Sequence, residues 1–143
     1  VVYVGVPLVA APNLLPVTAY GQIGSVTITT AAAFTSLIVT VANPGSGNKY
    51  YIGGVQQATI NLSEGSTYRL DQSAATNSSH PLKFSTTPNG TWGGGSEYTT
   101  GVSYVGTPGN AGAYTQIIVA TGAPTLYYYC SNHSGMGGQA NTP

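Results

Sequence analysis

The sequence predicts an all-β protein, an antiparallel sandwich or barrel. Helical periodicity is absent, because glycine and proline interrupt nearly every window and β-branched residues dominate the runs between them. The composition is that of a turn-rich β-protein, with 20 glycines, 11 tyrosines and abundant Thr, Ser and Val in 143 residues. Short Val/Ile/Thr/Tyr runs recur between turn signals, as strands of such a fold do.

The expected strands follow in order. Val26–Thr30 is the first and Leu37–Ala42 the second, the latter closed by the turn Asn43-Pro44-Gly45. Lys49–Ile52 and Ala58–Leu62 flank Gly53-Gly54 and read as a hairpin. Thr67–Gln72 alternates, with Tyr68 and Leu70 on one face and Arg69 and Asp71 on the other. After the polar loop 73–79 come Leu82–Thr86 and then an open glycine-rich stretch around Trp92, where the indole is expected as a lid packed on the sheet. Tyr98–Val105 reads as one further strand. Tyr114–Ala120 and Leu126–Cys130 are the last, separated by Gly122-Ala123-Pro124.

Only 4% of residues are charged and the formal net charge is zero. Nucleic-acid binding through a basic surface is excluded, because phosphate neutralisation needs clustered Lys and Arg. Three acidic residues and two histidines leave little for acid–base or Ser-His-Asp catalysis, and the chain is not expected to be an enzyme. A neutral Ser/Thr/Gly/Tyr surface offers little colloidal repulsion, which favours a subunit packed in an assembly. The first 48 residues carry no charge. Residues 1–20 are almost wholly apolar, yet Pro7, Pro12 and Pro16 preclude a spanning helix, so they are expected to form an extended arm. The sequence opens at Val1 rather than Met, which points to a processed chain or a fragment.

The chemistry concentrates in residues 127–138, Tyr-Tyr-Tyr-Cys-Ser-Asn-His-Ser-Gly-Met-Gly-Gly. The only Cys, the only Met and one of two His fall at the spacing Cys130-x2-His133-x2-Met136. The other histidine, His80, precedes an expected strand. A thiolate, two imidazoles and a weak thioether form the donor set of a blue-copper centre, whereas zinc would rarely use Met. Leu126, Tyr128 and Cys130 share one strand face, so Cys130 is expected to point into the sandwich.

This pattern resembles the cupredoxin family over roughly residues 49–138. The Cys-x2-His-x2-Met loop is similar to the short ligand loop of amicyanin. Tyr50-Tyr51-Ile52-Gly53-Gly54, Glu64-Gly65-Ser66-Thr67-Tyr68-Arg69-Leu70 and His80-Pro81-Leu82 look like a cupredoxin-like module of marine microbial and phage surface or virion proteins. The resemblance implies a Greek-key β-sandwich over 46–143, preceded by the arm and first strands in 1–45. It implies copper held by His80, Cys130 and His133 with Met136 axial. It implies an extracellular, cell-surface or virion location, and a structural subunit or, alternatively, a blue-copper electron-transfer protein with a redox partner. Pro81 stands where many members carry a bracing Asn, so bracing is expected from Ser79 or Ser131. The chain stops seven residues after Met136, in poor strand formers, so the last strand is expected to be missing, very short or supplied by another segment.

An unpaired edge beside the core invites strand addition by Val1–Val9, within the chain or between subunits. Deleting residues 1–16 is therefore expected to abolish self-association, read as the loss of large species in sedimentation velocity.

Overall fold

The structure, a computed structural model, describes residues 33–143. The expected strand Val26–Thr30 and the N-terminal arm lie outside the described residues. Eleven strands follow in chain order: β1 Thr35–Ala42, β2 Lys49–Ile52, β3 Val55–Gln56, β4 Ile60–Asn61, β5 Thr67–Asp71, β6 Leu82–Ser85, β7 Glu97–Tyr98, β8 Val102–Val105, β9 Tyr114–Ile118, β10 Leu126–Cys130 and β11 Gly138–Asn141. No α-helix occurs among the described residues; single 3-10 turns span Ala75–Asn77 and Gly90–Gly93. No helix there is long and apolar enough to cross a membrane.

The strands form two sheets, β3-β2-β1-β5-β9-β8 and β4-β11-β10-β6-β7. Their inner faces share one core: Val39, Tyr50, Leu70 and Ile117 from the first, and Leu82, Phe84, Leu126, Tyr128, Cys130 and Ala140 from the second. The sheets are mixed rather than purely antiparallel, since β1 pairs with β5 and β4 with β11 in parallel. Both parallel pairs bring together strands separated in sequence, which the local turn signals of adjacent strands do not encode.

Two further expectations are corrected. The hairpin at Gly53-Gly54 closes on β3, not on Ala58–Leu62. Gln57, at a positive φ of 45°, redirects the chain, and β4 joins the other sheet beside β11. Tyr98–Val105 is two strands in different sheets. The break falls at Gly101, which has φ 71° and lies so close to the Ile118 carbonyl that a Cβ would collide with it. The C-terminal strand exists but is short: β11 pairs antiparallel with β10, and Ala140 is fully buried. The approach is closest just before β11, where a Cβ at Gly137 would fall on the Tyr128 carbonyl.

Replacing Gly137 by Ala is therefore expected to force β11 away from β10 and cost on the order of 3 kcal/mol, the upper range for an overpacked site. A thermal denaturation midpoint equal to that of the wild type would contradict this account of the C-terminal strand.

Candidate metal centre

The site follows from one strand pairing. β10 and β6 are antiparallel, in register Tyr128↔Phe84 and Cys130↔Leu82. His80 lies two residues before Leu82, so the register delivers it beside Cys130. Period-2 alternation turns Leu126, Tyr128 and Cys130 inward, and all three are fully buried. The chain then turns over Ser131–Gly135 and returns His133 to the sulfur.

Cys130 Sγ lies 3.7 Å from His80 Nδ1 and 3.6 Å from His133 Nδ1. The two imidazole centroids are 4.6 Å apart. One donor atom from each of the three residues falls within 4.8 Å of the others. Cys130 and His80 are buried while His133 is exposed. Met136, the fourth residue of the expected set, is buried nearby on the same loop.

The donor set fits a metal ion. With metal–nitrogen distances of about 2.0–2.1 Å and metal–sulfur of about 2.3 Å, the observed N···S separations correspond to angles of about 114° at the ion, between trigonal and tetrahedral. Cys130 thus stands at ion-sharing distance from both imidazoles, and the three residues could hold one ion. Cys130 is the only cysteine of the sequence, so no disulfide within it competes for the thiol.

Neutral hydrogen bonds hold the His80 main chain. Its carbonyl accepts from the Tyr50 hydroxyl (2.6 Å) and from Gln72 Nε2 (2.6 Å). Gln72 Oε1 accepts from the Leu82 amide, fixing the start of β6. Gln72 also donates to Asn77 Oδ1, and Asn77 Nδ2 donates to the Val39 carbonyl. Both amides are almost fully buried and no buried side-chain polar atom of the described residues lacks a partner. Burial pushes the Tyr50 hydroxyl far above its ordinary value, with the Cys130 sulfur adding to the effect, so Tyr50 is a permanent donor.

The ligand loop is braced as closely. Asn89 Oδ1 accepts from the Gly135 amide and its Nδ2 donates to Ser134 Oγ. Lys49 Nζ donates to the Gly135 carbonyl, and Gln57 Nε2 to that of Gly137. The Met136 carbonyl accepts from the Tyr50 amide. Ser79 and Ser131 do take part, but through their main chains: Asn132 Nδ2 donates to the Ser79 carbonyl, and the Ser131 amide donates to that of Pro81. Sequence reasoning missed Tyr50, Gln72, Asn77, Asn89 and Gln57. The parity of β5 carried a usable signal for one of them, since Tyr68, Leu70 and Gln72 alternate onto the same inward face.

A scan against protein-family models finds no match for this chain, and no curated protein matches it.

Burial lowers the His80 pKa from its ordinary 6.5, and the neighbouring His133 lowers it further. As pH falls through that ordinary value, the unfolded chain takes the proton before the folded one does. The metal-free domain is therefore expected to lose stability on acidification from about pH 7 through this window. His80→Gln is expected to flatten the slope, as read by thermal midpoints against pH; an unchanged slope would assign the effect to other groups.

Proposed function

We propose that this chain is a cupredoxin-like domain holding one copper ion through His80, Cys130 and His133, with Met136 as a weak axial ligand. The observation that carries the reading is the buried Cys130 thiol, 3.6–3.7 Å from two imidazole nitrogens. A soft thiolate with two imidazoles and a thioether on the adjoining loop is a copper-selective combination. Such an ion, when bound, supplies reversible one-electron chemistry and a cross-link between β6 and β10. The protein's part is to exclude water from the sulfur, keep His80 neutral and fix the ligand loop. The family resemblance of the ligand loop and of the Tyr50–Leu82 segments adds to this reading.

The setting we propose is a structural subunit of an extracellular, filamentous or virion surface assembly. Its support is the outer face of the first sheet. Pairing parity puts Ile38, Val105 and Ile118 on that face, 54%, 43% and 48% exposed, and Phe34 adjoins it at 46%. Arg69, one of two charged residues on those central strands, is stacked between the Phe34 and Tyr114 rings. Exposed Ile, Val and Phe side chains set among the mostly neutral polar residues of this face are contacts suited to packing against protein. In such an assembly the ion acts as a staple, stabilising the fold that binds it.

A blue-copper electron carrier is the second reading. It is favoured by His133, a proposed ligand whose side chain is exposed. A particle that depends on residues 1–16 supports the first setting; a monomer that cycles reversibly supports the second.

Titration with Cu(II) is expected to produce an intense visible thiolate-to-copper band and the EPR signal of a blue site in the wild type. Both are expected to be lost in Cys130→Ser. A folded wild-type protein that develops no band would overturn the copper reading.

A further inference from the structure

Trp92 is the single tryptophan of the chain. It is 49% exposed, yet its indole Nε1–H donates to the Cys130 carbonyl at 2.9 Å. An exposed side chain thus bonds the main chain of the most deeply buried candidate ligand. The turn that carries it, Gly90–Gly93, is anchored to the same region at two other points. Asn89, at φ 62°, ties it to Gly135 and Ser134. Gly90 sits directly on the Tyr129 ring, where a Cβ would collide with the aromatic carbons. Gly93 is equally constrained, since a Cβ there would strike the Pro88 carbonyl. Glycine at 90 lets the turn lie against β10, and glycine at 93 lets it close tightly on Pro88.

β10 needs such a restraint. Beyond Cys130 it leaves the sheet, and the Ser131 amide is held only by a 3.2 Å bond to Pro81. Cys130 is the last residue in register with β6. Its carbonyl is the hinge between the strand and the ligand loop, and the indole occupies that hinge.

We propose that Trp92 is a positioning residue of the metal centre: with Asn89, it clamps the Cys130 main chain and the ligand loop before an ion arrives, so that the sulfur already faces both imidazoles. The loaded-state part of this inference rests on the copper reading above; the metal-free part does not.

Uniqueness of the tryptophan permits a test of the hydrogen bond alone. Biosynthetic replacement by benzothienylalanine keeps the ring shape and exchanges the N–H for sulfur; Trp92→Phe serves as a second variant. In the metal-free protein, hydrogen exchange at the Ser131 and Gly135 amides is expected to accelerate about tenfold, the scale of one hydrogen bond, while the core Leu70 amide holds. In the copper-loaded protein, Cu(II) affinity by chelator competition is expected to fall about tenfold, with a shifted reduction potential. Unchanged exchange at both loop amides overturns the proposal. So does a uniform acceleration that includes Leu70, because Trp92 would then only support the fold. If the wild type gives no thiolate–copper band, the copper reading fails separately, and the exchange data still decide the metal-free clamp.

Discussion

The pairing of Cys130 with Leu82 is the constraint on which the rest of the site depends. A slip of one residue would turn Cys130 to the opposite face and exchange it with Tyr129. The slip is opposed from both sides of the sheet. Inward, Tyr128 and Phe84 are fully buried in the shared core. Outward, Tyr129 is buried beneath the Gly90 turn, and Tyr127 is the one residue of that face that is half-buried, so a slip would bring Cys130 under the same turn. The position of His80 then follows from chain length alone, and Tyr50 and Gln72 hold its carbonyl there.

Nearly all the restraints on the site are neutral. Asn77, Gln72, Asn89, Gln57, Asn132 and Tyr50 brace it through hydrogen bonds, and Lys49 is the one charged group to join them. No carboxylate takes part, and the single ion pair among the described residues, Lys83–Glu97, joins β6 to β7. This arrangement fits a chain with six charged residues. It also keeps negative charge away from a sulfur that must lose a proton to bind metal.

Much of this was legible in the residues. Period-2 alternation identified the two faces of β5 and the inward face of β10, and the expected β2 and β10 have the observed limits. The grouping of His80, Cys130 and His133 was readable because their donor types and the Cys-x2-His-x2-Met spacing leave few alternatives. The parallel pairs β1–β5 and β4–β11 were not readable, since each joins segments with no shared turn. The split between β7 and β8 was hidden for a similar reason. Gly101 looks like a tolerated glycine in a strand until its contact with Ile118, seventeen residues on, is known. The bracing amides escaped because Asn and Gln in polar stretches resemble solvated loop residues; Asn77 sits in such a stretch and is wholly buried.

The burial of Cys130 also bears on crowding. A protein that stacks many copies of itself concentrates its thiols, and an exposed one on each copy invites random cross-linking under oxidising conditions. Here the sulfur is enclosed by two imidazoles and the core, with no accessible surface on its residue. Two folded copies cannot bring these sulfurs to the roughly 2 Å of a disulfide. The domain can therefore be packed densely while its one thiol stays out of covalent contact with its neighbours.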